Sequence, residues 1–298
     1  HHIVEISKWA SAHFFLENLK MLNRRADKLE LLRIAEAVAL EKSIDKELII
    51  DSMESGIAKA AKKAGRTAAE GLVLAKQNEE YVCLVEINCE TDFVANDENF
   101  RSFAELVAEK ILAERPEDLE ALKNCGTPTG LIEEMTTELS AKVGEKIDLR
   151  RFVTVEKRQQ VAGIYLHGNK IGVITLLDSS SEGVARDIAM HIAAASPISV
   201  SKDDIPTHVL DKEQEIYLDQ AKSSGKPEDI AKKMVQGRMD KFCKENALLE
   251  QQFVKDPNTT VKEVLTDTIA KLGENISIAR FTRFQLGENS SQQSKDSE

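Results

Sequence analysis

A twelve-residue segment of this chain occurs twice, and the repetition constrains the fold more than any other feature. Ala141-Lys142-Val143-Gly144-Glu145-Lys146-Ile147-Asp148-Leu149-Arg150-Arg151-Phe152 aligns with Ala270-Lys271-Leu272-Gly273-Glu274-Asn275-Ile276-Ser277-Ile278-Ala279-Arg280-Phe281, with seven of twelve positions identical. Each copy reads as the end of a helix, a stopping glycine and the start of a strand. Chance likeness at such a junction is the competing explanation. Against it, the elements ahead of each copy agree in kind and order. Gly71 to Lys76 and Tyr81 to Glu90 alternate with period two, joined at Gln77-Asn78-Glu79-Glu80; Tyr81, Cys83, Val85, Ile87 and Cys89 share one face. A helix from about Asp97 carries Phe100, Phe103, Ala104, Val107 and Ile111 on one stripe. A second, from about Gly130 to Val143, stops at Gly144 before a strand beginning near Lys146. The later half matches this plan. Ala162 to His167 and Lys170 to Leu177 form a hairpin across Gly168-Asn169; helices Glu182 to Ala195 and Val261 to Leu272 and a final strand follow. The expected fold is α+β, with two repeated β-hairpin, helix, helix, strand subdomains.

One segment interrupts the second copy. Residues 201–246 read as an antiparallel coiled-coil insertion turning at Ser223-Ser224-Gly225-Lys226-Pro227. Ala231, Val235, Arg238 and Phe242 recur at coiled-coil spacing, and Val209 and Ile216 supply the facing stripe. Two roles fit it, a self-contained arm or a surface for a partner or a second copy. Before the repeats, residues 1–63 look helical: Leu29 to Leu40 has apolar residues at helical spacing, and Ser43 caps a helix running to the basic end Lys59, Lys62, Lys63. Those lysines read as a solvated helix end or a nucleic-acid patch. The expected domains are 1–63, a helical N-terminal region; 64–155, core subdomain one; 156–200 with 247–287, core subdomain two; 201–246, the insertion; and 288–298, a disordered Ser/Gln-rich tail.

Composition narrows the function. With 40 Lys and Arg against 51 Asp and Glu, the net charge is −11, a poor basis for binding nucleic acid directly. The apolar stretch Ile171 to Leu177, broken by Gly172 and Thr175, is far short of the ~18–20 residues of a membrane helix, and no charged-then-apolar leader opens the chain. Four cysteines, none in Cys-x-x-Cys, fit a reducing, cytoplasmic setting. Cys83 and Cys89 read as buried small side chains, or else as a metal pair or disulfide. No phosphate loop, dinucleotide-binding glycine motif or nucleophile elbow is present, and the histidines lack metal-ligand spacing, so neither cofactor nor covalent chemistry is expected. His191 reads as a packed histidine rather than a base.

The most unusual segment is Cys89-Glu90-Thr91-Asp92-Phe93-Val94-Ala95-Asn96-Asp97, where a strand gives way to a helix. Thr91 or Asp92 could cap the helix with Phe93 tucked into the core, or the junction could present an acid and an aromatic to a partner. Thr-Asp-Phe-Val-Ala after a Glu-x-Asn-Cys-Glu strand resembles the hallmark of bacterial elongation factor Ts. The similarity extends through Ala58 to Arg66, Gly144-Glu145, His167-Gly168-Asn169-Lys170-Ile171-Gly172-Val173, Ile188 to Ala194, Ser224-Gly225-Lys226-Pro227, Lys233 to Met239 and Arg283-Phe284, or about residues 57–287.

That resemblance implies a guanine nucleotide exchange factor, not an enzyme, acting on elongation factor Tu. A protein that binds the nucleotide-free G protein more tightly must weaken GDP binding by the same factor. The resemblance assigns Asp92 and Phe93, flanked by Thr91 and Val94, to disturbing the partner's Mg²⁺ and phosphate site. It places further contacts at Val143, His167, Phe253 and Val254. Two departures stand at the ends. The family's usual N-terminal motif is absent, and residues 28–61 instead resemble the N-terminal helices of transcription factor NusA. A C-terminal helix found in some members is replaced by the polar tail. The alternative function is therefore a transcription-associated interaction protein acting through residues 28–61.

Overall fold

The computed structural model describes residues 68–223 and 227–288. The helices expected at Leu29–Leu40 and after Ser43, the basic stretch Lys59–Lys63, the turn at 224–226 and nearly all of the tail lie outside the described residues.

The first copy comprises β1 (Glu70–Gln77), β2 (Tyr81–Cys89), α1 (Asp92–Ala95), α2 (Glu98–Glu114), α3 (Leu119–Lys123), the two-residue strands β3 (Gly126–Thr127) and β4 (Gly130–Leu131), α4 (Ile132–Val143) and β5 (Asp148–Glu156). The second comprises β6 (Val161–His167), β7 (Ile171–Asp178), α5 (Glu182–Ala195), the inserted α6 (Thr207–Ser223) and α7 (Glu228–Asn246), a small ribbon of β8 (Gln252–Phe253) and β9 (Asp256–Thr260), α8 (Val261–Leu272) and β10 (Ser277–Gln285). Their sheets have the same antiparallel topology, β1-β2-β5 and β6-β7-β10, with the second hairpin strand central in each. The duplication reaches fine detail. Gly144 and Gly273 end α4 and α8 in the left-handed region, at φ 76° and 72°. Both third strands carry one extra residue at the aligned position, Arg150 in β5 and Ala279 in β10.

The two sheets pack face to face with helices on their outer sides, giving four layers. Cys83, Val85, Ile87 and Cys89 of β2 point to one side and join Phe100, Phe103, Val107 and Ile111 of α2. Val82 and Leu84 point to the other and join Val73, Val155, Ile174, Leu176 and Phe284 between the sheets. Val173 and Leu177 of β7 face outward onto Ile188, Ala189 and Ile192 of α5. Every residue from Val82 to Cys89 is therefore buried, Glu86 included. A carboxylate there must be compensated. Glu86 accepts from Arg151 Nε at 2.6 Å and from the Gly287 backbone N–H at 2.8 Å, and Arg150 Nε lies 3.7 Å away. The Arg151 guanidinium also sits 4.3 Å from the Phe284 ring centroid, tying the first sheet to the second.

The Gly168-Asn169 turn has positive φ at both residues, 56° and 57°, the conformation that tight hairpins favour. In the arm, Val235 and Ala221 are buried between α6 and α7. The facing stripe differs from expectation at Ile216, which is exposed. Its neighbour Tyr217 lies on the seam instead, with the Arg238 guanidinium 5.6 Å from its ring centroid and hydrogen-bonded to Gln220. Placing Tyr217 on the seam gives the cation a π face and pairs the one polar position of the α7 stripe.

Helix α5 lies directly on β6. A Cβ on Gly163 would stand 2.1 Å from the carbonyl oxygen of Ala185, whereas one on Gly237, midway along α7, would meet nothing within 4 Å. Gly163→Ala is expected to destabilise the fold by roughly 2 kcal/mol or more through overpacking. Gly237→Ala is expected to stabilise it by about 0.5–1 kcal/mol through helix propensity. Urea unfolding of the two variants checks both signs.

Candidate functional site

Strand β2 ends at Cys89, and the chain must leave the sheet without stranding backbone donors. Glu145, the residue after Gly144, meets that need. Its Oε2 accepts from the backbone N–H groups of Glu90 at 3.1 Å and Thr91 at 3.0 Å, and its Oε1 accepts from the Thr91 hydroxyl at 2.6 Å. Glu90 reciprocates, its Oε1 accepting from the Lys146 backbone N–H at 2.6 Å. Thr91 then caps α1, its Oγ1 accepting from Val94 N at 3.4 Å. The helix is four residues long and is followed at once by Asp97, which caps α2 through Asn99 N and Phe100 N. The Asn99 side-chain amide and these backbone donors hold the Asp97 carboxyl below its usual range. Asn96 binds back to the Asp92 carbonyl at 2.9 Å, and Arg101 holds Asn96 at 2.7 Å.

This turn is anchored at both ends and rooted by Val94, which is buried against the α2 side of the first sheet. Phe93 points the other way and is 84% exposed, the most exposed large apolar side chain among the described residues. Asp92 beside it is exposed as well. Of the two readings left open for this segment, Thr91 is the cap and Phe93 is the presented residue. The structure also brings Val143 here, as the half-buried last residue of α4 immediately before Gly144-Glu145.

His167 lies at the exposed end of β6, its Nδ1 3.3 Å from the Tyr165 hydroxyl. Its turn is bound to β1: Asn169 O accepts from Val73 N at 2.7 Å, and Lys170 pairs with Glu70 at 3.3 Å. Glu70 is in turn opposite Cys89, so β1 links this turn to the base of the Phe93 junction. Phe253 and Val254 lie instead at the β8–β9 turn against α5. Phe253, expected as a contact, is buried and stacks on His191 with ring centroids 5.8 Å apart. Val254 is the exposed member, at 44%. Val94, grouped with the contacts, likewise turns inward. Both follow from amphipathic turns that need one apolar root to present the neighbouring side chain.

His191 is buried and explains the Val254 turn. Its Nδ1 accepts from Val254 N at 3.1 Å while Nε2 lies 2.9 Å from Gln251 Oε1, which defines the neutral tautomer with the proton on Nε2. Burial lowers its pKa, with the Gln251 hydrogen bond opposing. Burial pushes Cys83 and Cys125 up to about 11 and Cys89 to about 12, and all four cysteines are free. Among the described residues no group of three or more His, Cys, Asp or Glu could hold a metal, and no helix is long and apolar enough to cross a membrane. An open cavity of about 520 Å³ lies between Tyr165, Val184, Asp187, Met190 and Lys255.

The junction therefore presents an exposed aromatic beside an acid on a tied turn, and comparison with known proteins gives the family. Residues 90–288 match the family model described as elongation factor TS. The elongation factor Ts of Alkalilimnicola ehrlichii is 49% identical over 237 residues, covering 79% of each chain. That of Aeromonas hydrophila is 45% identical over 261 residues, covering 87% of this chain and 86% of the relative. The chain belongs to the elongation factor Ts family. It is thereby a translation elongation factor by descent, and the family-model match spans the Phe93 junction, β5, the second sheet and the inserted arm. A second model, the NusA N-terminal domain, matches residues 30–116 and overlaps the first over α1 and α2.

Sequence reasoning alone overlooked two working residues, Glu145 as the clamp on the junction and His191 as the support of Val254. The signal for Glu145 was present, because Gly-Glu is identical in both repeats. That for His191 was not, since its partners are 60 and 63 residues away.

His191 predicts a pH dependence. Because its folded pKa lies below the ordinary 6.5, the unfolded chain binds the proton more readily. The stability it contributes is fully present above the unfolded value and is lost as pH falls from there toward the folded one. Urea unfolding from about pH 8 down to about pH 5 is expected to show a smaller stability loss in His191→Gln than in the parent chain.

Proposed function

We propose that this family member is a guanine nucleotide exchange factor that binds elongation factor Tu and promotes release of GDP. The observation that carries the reading is the 84% exposure of Phe93 on a turn whose every other element is tied down. An aromatic held out rigidly loses little conformational freedom when it enters a partner, so more of its burial, about 1.5–3 kcal/mol, is available for binding. Entry of Phe93 between elements of the G protein displaces the segment that holds Mg²⁺, and Asp92 competes for that segment's hydrogen bonds. Val143, His167 and Val254 supply contacts that hold the two proteins together, and Thr91, Val94 and Phe253 support the presented side chains. No bond is made or broken. Exchange follows from coupling, in which each tenfold weakening of GDP requires about 1.4 kcal/mol more contact with the nucleotide-free partner. The exposed Ile216, Leu218 and Ile230 of the arm are the surface through which two copies would pair.

Release of a fluorescent GDP analogue from elongation factor Tu tests this. The full chain is expected to accelerate release, and Phe93→Ala to slow that acceleration by roughly tenfold or more. Thermal stability of the variant should stay within about 0.5 kcal/mol of the parent, because the lost ring was exposed. Wild-type exchange by Phe93→Ala would remove the wedge.

The match of residues 30–116 to the NusA N-terminal domain supports a second reading, in which the N-terminal region recruits this chain to RNA polymerase. Retention of RNA polymerase on the immobilised full chain, and its loss on substitution of the charged residues before position 57, would favour it; absence of retention would exclude it.

A further inference from the structure

The two halves of the molecule use one clamp twice. In the first, Glu145 accepts three hydrogen bonds from Glu90 and Thr91, at the junction between the central strand and the next helix. In the second, the aligned Glu274 does the same. Its Oε1 accepts from the Ser179 hydroxyl at 2.8 Å and Ser180 N at 3.0 Å, and its Oε2 from the Ser180 hydroxyl at 2.8 Å. Those three bonds hold its carboxyl below the usual range. The junctions differ in what they carry. The second runs from Ser181, the cap of α5, straight into that long helix. The first is followed by the separate four-residue α1 and presents Phe93 to solvent. The clamp thus serves folding in both halves and can serve presentation only in one.

We propose that Glu145 is a positioning residue for nucleotide exchange, acting through Thr91 to hold the Asp92–Phe93 tip in its binding geometry before the partner arrives. This rests on the exchange reading above. Helix α1 is too short to hold itself, since a first helical turn fixes several residues for a single hydrogen bond. Its cap is Thr91, and Thr91 is fixed at both its N–H and its hydroxyl by the one carboxylate. With the clamp released, the tip must be ordered at the moment of binding, and that ordering comes out of the contact available to displace the nucleotide.

The internal duplicate provides the control. Glu145→Gln replaces one acceptor oxygen with an NH₂ that cannot accept, and Glu274→Gln makes the same change where no tip is presented. At saturating factor, Glu145→Gln is expected to lower the maximal GDP-release rate roughly tenfold, with a smaller change in the half-saturating concentration. Glu274→Gln is expected to stay within about twofold of the parent chain in both. Thr91→Val, which removes the hydroxyl on the other side, should resemble Glu145→Gln, and the double variant should lose little more than either single one. A second readout is independent of exchange. The chain has one tryptophan, Trp9. In a Trp9→Phe, Phe93→Trp background, time-resolved anisotropy of the introduced indole should gain a fast component on Glu145→Gln and none on Glu274→Gln. Unchanged anisotropy on Glu145→Gln, or equal loss of exchange in the two glutamine variants, would overturn the proposal. If the parent chain itself released no GDP, the exchange reading would fall while the anisotropy pair still decided the clamp.

Discussion

Strand β2 is buried on both faces, and the rest of the molecule is arranged around that fact. One face is covered by α2 and α4, the other by the second sheet, so eight consecutive residues, Val82 to Cys89, are withdrawn from water. A strand held in this way cannot shift register without exchanging its two apolar sets. It delivers its last residue, Cys89, to a fixed point. The single charge on it, Glu86, is compensated by Arg151 and the Gly287 backbone, which come from β5 and from beyond β10. The compensation is therefore also a tie between the two sheets, and a chain lacking its last strand would leave that carboxylate without a backbone donor.

Duplication then produces a division of labour. Both halves have a central strand, a long helix on its outer face, a second helix ending at a left-handed glycine and a third strand with an extra residue at the same place. These shared features are the ones that a three-stranded sheet with a helical layer requires. The halves differ where packing is indifferent. The first adds a short exposed turn after β2, and the second accepts an entire helical arm between α5 and the β8–β9 ribbon. Both additions lie at the ends of elements, where they leave the apolar layers undisturbed.

The described features of the junction are packing and presentation. Burial raises the pKa of the Cys83 and Cys89 thiols, the buried His191 is hydrogen-bonded at both nitrogens, and the most exposed feature is a ring on a tethered turn. What such a surface can do is bind one state of a partner better than another. Under the proposed exchange role, rigidity counts for more than reactivity, and the hydrogen bonds behind the exposed ring carry that rigidity.

How much of this could be read from the residues varies with range. The hairpins at Gln77–Glu80 and Gly168-Asn169, helices Glu182–Ala195 and Val261–Leu272 and the glycine stops were legible, because alternation, helical spacing and αL glycines are local signals. Helix α1 was not, since four residues have no period. Ile216 was placed on the arm's seam, while the seam runs through Tyr217, because which of two adjacent residues faces a partner helix depends on the partner. Phe93 shows the limit most clearly. The string Thr91-Asp92-Phe93-Val94 contains one apolar residue that roots the turn and one that leaves it, and hydrophobicity alone favours burying the larger. By itself the sequence determined that two like units of strand and helix would form and that the Thr-Asp-Phe-Val-Ala segment lay where a strand gives way to a helix. Only tertiary structure decided that Val94 goes in and Phe93 stays out. That choice is made by a carboxylate 54 residues away on the Thr91 backbone, and a bond of that range exists only once both halves of the first sheet have closed.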